Sequence, residues 1–166
     1  MSQTRLTEHA GVEYPIICGA MYPCSNPELV AAAAEGGGMA IIQPVSITMV
    51  HGFNDPDTIE GLRVGIRLIR ELTDKPIGFN ALIEKGSEKY FERMSKWIDI
   101  ALEEGIRFFV TSLGKPDWVC EKVHAYGGVV YHDVTNRFHA EKGIECGVDG
   151  LIASAVSSRG SVDNVN

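Results

Sequence analysis

Three short stretches carry the residue types that chemistry uses. In Cys18-Gly19-Ala20-Met21 an apolar run gives way to small residues. Small side chains allow close approach by a ligand, and Met21 offers a soft, polarizable wall. Asn80 interrupts the apolar run Gly78-Phe79-Asn80-Ala81-Leu82. A buried amide has to be satisfied, so Asn80 is either a structural hydrogen-bonder or a ligand contact. His132 stands beside Asp133 at the end of Val129-Val130-Tyr131-His132-Asp133-Val134, an imidazole titrating near neutrality next to a carboxylate. Thr111 and Ser112 close a further apolar run. The other histidines, His9, His51, His124 and His139, fall in the amino-terminal segment, a loop or helices, with no partner visible in the sequence. His132 is therefore the best placed of the five, as a ligand contact or as a satisfied structural residue. Cys18, Cys24, Cys120 and Cys146 have neither CxxC spacing nor a nearby His pair, so no metal site and no disulfide framework is expected. No side chain is assigned a catalytic role.

These residues need a scaffold, and the pattern around them is an alternation of β-rich runs with stretches of helical period. Strands are expected at 15–20, 39–45, 76–82, 107–113, 128–134 and 150–156. Most are apolar without strict alternation, as parallel strands covered by helices are. Five helices lie between them. Asn26-Pro27 starts the first, which stops at Gly36. The second carries Ile59, Leu62, Ile66, Ile69 and Leu72 on one face. Ser87 is expected to cap the third, whose inward stripe is Tyr90, Met94, Trp97, Ala101 and Leu102. Pro116 opens the fourth and Asn136 the fifth. Gly36-Gly37-Gly38 follows a helix and precedes a strand, the reverse of a dinucleotide cradle, so it reads as a cap and tight turn. Strand starts recur about every 27 residues, close to the repeat of an eight-unit barrel spread over roughly 250 residues. The predicted class is α/β, either an open doubly wound sheet or an incomplete TIM-barrel-type (β/α) repeat of about six parallel strands and five helices. In both, ligands bind at the C-terminal ends of the strands.

Composition narrows the function. A chain of 166 residues, 45% hydrophobic and 22% charged, can bury one sizeable core. Its net charge of −7 gives no electrostatic footprint for nucleic acid or an anionic bilayer. The amino terminus lacks a signal peptide's apolar run, and no stretch is long and apolar enough for a membrane span. A reduced, cytoplasmic protein is expected. The divisions are an amino-terminal segment (1–14), a partial (β/α) barrel of flavin-binding type (15–156) and a polar tail (157–166).

Read together, "YPIICGAM", "PELVAAAAEGGGMAII", "LTDKPIGFNAL", "FFVTSLGKPDWV", "GGVVYHDVT" and "GVDGLIA" resemble the nitronate monooxygenase family, formerly 2-nitropropane dioxygenases, in order and spacing over about residues 13–153. The resemblance implies a TIM barrel that uses FMN, carried across the C-terminal ends of the strands, to oxidise alkyl nitronates with O2. It implies that Ala20 and Met21 lie against the flavin ring, that Asn80 hydrogen-bonds it, and that Asp149 helps order the site near the end of strand six. His132 is expected among the cofactor contacts. Two departures stand out. Asp133 occupies the place of a Lys common in the family, and after Ser158-Arg159-Gly160, which resembles the approach to a glycine-rich segment whose histidine is the family's base, Ser161-Val162-Asp163-Asn164 replaces that segment. The phosphate-binding loops of strands seven and eight are expected to be missing with it, leaving an amino-terminal fragment. Its exposed sheet edges would favour self-association. The alternatives are a relative of the FMN-dependent enoyl-acyl-carrier-protein reductases, or a non-catalytic remnant acting as an interaction module.

Overall fold

The computed structural model describes residues 3–50, 59–83 and 87–154. His51, positions 155–156 of the expected sixth strand and the tail 157–166 lie outside the described residues.

Six strands form one parallel sheet, paired in chain order: β1 (Ile17–Cys18), β2 (Met39–Ile42), β3 (Ile77–Ile83), β4 (Phe108–Leu113), β5 (Val129–Val134) and β6 (Gly150–Ala153). The sheet curls into a half-barrel of the TIM type, with helices on its convex side. β2 stops three residues short of its expected end. Pro44 has no N–H for the ladder, and the chain turns there into a single π-helical turn at Ser46–Val50.

The five expected helices form between the strands: α2 (Pro27–Glu35), α3 (Ile59–Leu72), α4 (Glu88–Glu103), α5 (Asp117–His124) and α6 (Arg137–Glu145). Asn26 and Asn136 cap as their positions predict, accepting from the N–H groups of Leu29 at 2.8 Å and His139 at 2.9 Å. Ser87 precedes α4 but makes no side-chain cap bond. Gly37 ends the α2–β2 turn at φ +84°, and a Cβ there would lie 2.8 Å from the Tyr14 ring. One helix was not expected. α1 (Arg5–Ala10) forms in the amino-terminal segment because Thr4 and Thr7 cap each other reciprocally, and Gly11 at φ +65° closes it.

The period-2 pleat sorts the strand residues into two cores. Ala40, Ile42, Phe79, Ala81, Phe109 and Val130 point outward and are sealed by α2 to α5 through Leu62, Ile66, Ile69, Met94, Trp97 and Val119. Met39, Ile41, Phe108 and Tyr131 point inward, where Leu6, Ala10 and Val12 close one end of the half-barrel. His9 Nδ1 meets the Tyr131 hydroxyl there at 3.2 Å.

Candidate active site

Along each central strand the inward-facing residues change from apolar to polar in the chain direction. On β4 they are Phe108, Val110 and Ser112; on β5, Val129, Tyr131 and Asp133; β6 runs through Ile152 to Ser154 at its end. The apolar end is plugged by α1. The polar end opens into a cavity of about 360 Å³, within the size range of small-molecule sites.

Ile17, Ile41, Val110 and Ile152 form its walls, and Asn80, Ser112, Asp133 and Ser154 supply its polar groups. Asp133 accepts a short hydrogen bond from the Ser154 hydroxyl. The Asn80 amide is half-buried and has no side-chain hydrogen bond among the described residues. Gly78 lies one inward position before it. A Cβ at Gly78 would come within 2.6 Å of Ile41 Cδ1 and 3.0 Å of the Phe108 carbonyl, so only glycine lets the cavity floor pack beneath Asn80.

The structure brings two of the expected site residues together, Ala20 and Asn80, which both line this cavity. Met21 is not among its walls. Its side chain is 44% exposed, while its backbone is fixed by an N–H donated to Ser25 Oγ (2.9 Å) and a carbonyl accepting from Ser46 Oγ (3.3 Å). His132 lies on the other face of the sheet, one pleat position from Asp133. It is buried at 5% exposure, with Nδ1 2.8 Å from Thr111 Oγ1, and burial pushes its pKa below the ordinary value. Asp149 lies at the opposite end of the strands because it immediately precedes β6. Its carboxylate accepts from the Val130 N–H at 2.8 Å and meets His124 Nε2 at 2.8 Å, an arrangement that ties β6 to β5 and α5. Ser112 was expected only as a polar residue near a strand end, Ser154 was not expected as a site group, and Asp133 was expected only as the neighbour of His132 and a departure from the family. Counting by twos from Asp133 puts Tyr131 and Val129 on its face and His132 on the other.

A flavin ring needs apolar walls for its faces and hydrogen-bonding groups at its edge. The aliphatic walls with the unpartnered Asn80 amide fit that end of the cofactor. Among the described residues no Lys, Arg or His lines this cavity, so none of them grips a phosphate within it.

A parallel βα half-barrel with its cavity at the C-terminal strand ends defines the class: an α/β protein of TIM-barrel type with a small-molecule site at the usual end. The nitronate monooxygenase family model matches residues 3–162, and the chain belongs to that family. Among curated relatives, a Rhodococcus jostii protein named (3aS,4S,5R,7aS)-5-hydroxy-7a-methyl-1-oxo-octahydro-1H-indene-4-carboxyl-CoA dehydrogenase is 28% identical over 150 residues, 90% of this chain and 38% of its own length. A Pseudomonas aeruginosa nitronate monooxygenase is 30% identical over 95 residues, 57% of this chain and 24% of its own length. FabK from Thermotoga maritima superposes with a TM-score of 0.75 at 25% identity, covering 92% of this chain and 44% of that one. The nitroalkane oxidase of Streptomyces ansochromogenes, at 19% identity and a TM-score of 0.72, shares the fold. The chain thus spans less than half the length of these proteins. Among the described residues no helix is long and apolar enough to cross a membrane, and the four cysteines are free.

Proposed function

We propose that this chain forms the flavin-ring part of an FMN-dependent oxidoreductase that oxidises alkyl nitronates with O2, its six strands and five connecting helices being the amino-terminal part of the barrel. The observation that carries the reading is the unpartnered Asn80 amide in an aliphatic cavity at the strand ends. FMN, when bound, supplies the electron acceptor that passes electrons to O2. The chain's own residues hold and orient. Asn80 hydrogen-bonds the ring edge, Gly19 and Ala20 allow close approach along β1, and Ile41 and Val110 exclude water. Asp133 places a carboxylate at the cavity mouth, fixed by Ser154, where it disfavours negative charge on a neighbouring group. Riboflavin fluorescence should quench on titration with this protein, and Asn80→Ala should weaken binding by about ten-fold, the cost of roughly one hydrogen bond to a buried site. Absence of quenching with the native chain would overturn the reading.

A second reading is favoured by the acyl-CoA dehydrogenase name of a relative matched over 90% of this chain: flavin chemistry on an acyl thioester, as the enoyl-acyl-carrier-protein reductase alternative also supposes. Oxygen consumption with a nitronate, against reduced nicotinamide consumption with an enoyl thioester, separates the two.

A further inference from the structure

The cavity at Asn80 has a neighbour. A space of about 390 Å³ opens beside it, between the loop that joins β4 to α5 and the first two turns of α6. Asp133 lines both cavities, so the two adjoin at that residue.

Three features of this lateral cavity point to a ligand. The first is His132, buried at 5% exposure and forming part of the wall. Thr111 takes its Nδ1, and Nε2 has no hydrogen-bond partner among the described residues. A ring nitrogen that a buried side chain leaves without a partner on a cavity wall awaits one. The second is Gly143, inside α6, where glycine costs about 1 kcal/mol relative to alanine. A Cβ there would stand 3.2 Å from His132 Cδ2, so the missing side chain keeps the space beside the imidazole open. The third is charge. Lys115 and Lys142 both line the cavity; Lys142 is paired with Glu145 at 2.6 Å, and Lys115 has no ion pair among the described residues. Both α5 and α6 begin at this end, and their positive dipole ends add to the field. Among the described residues the interior cavity has no cationic side chain.

We propose that the lateral cavity binds a phosphate ester, with Lys115, Lys142 and His132 Nε2–H as its donors, while the organic part of the same ligand reaches the interior cavity past Asp133. In that state the Thr111 hydroxyl, which donates to the Tyr131 carbonyl at 3.3 Å in this structure, turns its proton to His132 Nδ1, which places the imidazole proton on Nε2. The exposed Phe138 ring gives the organic part an apolar surface. The placement of the organic part rests on the function proposed above; the phosphate site does not.

Two sources share this chemistry, the phosphate of the flavin and the diphosphate of an acyl carrier such as coenzyme A. Calorimetric titration of the native chain with pyrophosphate should show binding that weakens by about ten-fold or more in Lys115→Glu/Lys142→Glu, as expected for reversing two charges at an anion site. Both lysines are exposed, so the thermal melt should not move. Asn80→Ala should leave pyrophosphate binding unchanged. If FMN binds more tightly than riboflavin and the double variant erases the difference, the flavin supplies the phosphate. If coenzyme A shows that dependence and FMN does not, the substrate does. No pyrophosphate binding, or equal binding by the native chain and the double variant, would sink the site. Riboflavin quenching tests the interior cavity independently, so the two failures are distinguishable.

Discussion

Phe79 and Asn80 are neighbours in one strand, yet they belong to different parts of the molecule. Phe79 points outward into a fully buried layer beneath α3 and α4, against Phe109 at a ring-centroid distance of 5.7 Å. Asn80 points inward, half-buried, into a cavity. The same division runs through β4, where Phe109 and Thr111 face helices and Val110 and Ser112 face the cavity, and through β5, where His132 and Asp133 part company. The outward face is apolar and helix-covered over β2 to β4, and opens only toward β5 and β6, where His132 borders the lateral cavity. The inward face is sealed at one end by α1 and polar at the other, because nothing there has to be hidden from a ligand. Stability is concentrated on one face of the strands and chemistry at one end of the other.

That division can be broken most forcefully at Phe79. Truncation to alanine leaves a cavity in a layer with no room to collapse and should cost about 3–5 kcal/mol, a large part of the roughly 5–15 kcal/mol that holds a domain together. Asn80→Ala, one residue on, should fall within about 0.5 kcal/mol of the native chain while losing flavin affinity. Urea melts of the two variants, read by circular dichroism, check the contrast. Equal destabilisation would mean that the inward amide is structural after all.

A smaller effect is expected from His132. Burial lowers its folded-state pKa, so between the ordinary imidazole value of about 6.5 and that lower value the unfolded chain binds more protons than the folded one. The stability contributed by the neutral ring is therefore present above about pH 6.5 and is lost as the pH falls toward the folded pKa. The melting temperature should drop between pH 7 and pH 5, and drop less in His132→Asn, which keeps a polar group near Thr111 without the titration. An unchanged slope in the variant would show that the ring is not the titrating group.

The strands, the five connecting helices and the Asn26 and Asn136 caps were legible because each has a local cause: period, cap or breaker. α1 was not, since six residues capped by a Thr-Thr pair carry little periodic signal, and its stability comes from plugging an interior that exists only once the sheet has curled. That Ala20 and Asn80 line one cavity was partly legible, since one is small beside an apolar run and the other a polar break within one. The face of His132 was not read, because its chemistry drew attention from its parity, and Asp133, one position along, is the residue facing the interior cavity. Asp149 was set at the wrong end because the resemblance that singled it out carried no information on which side of β6 it begins. The lateral cavity left no trace in the sequence beyond one glycine in a helix, since it arises from the distance between a loop and the start of α6.

The smallest expected effect concerns the helices that cover the outward face. Arg63 lies 2.9 Å from Glu104 and 2.7 Å from Glu103, and Arg67 reaches Glu104 at 2.9 Å, so that α3 is laced to the end of α4. The Arg67 guanidinium, followed by that of Arg63, holds the Glu104 carboxyl below its ordinary range against the opposing effect of burial. Arg67 itself is 63% exposed, where water and salt screen most of the attraction. Arg67→Ala should therefore cost no more than about 0.5 kcal/mol near neutral pH, with less loss in 1 M salt and none once acid has protonated Glu104. A loss comparable to that of Phe79→Ala would place the bond between sheet and helices in surface charge, where this structure places it in the apolar layer beneath.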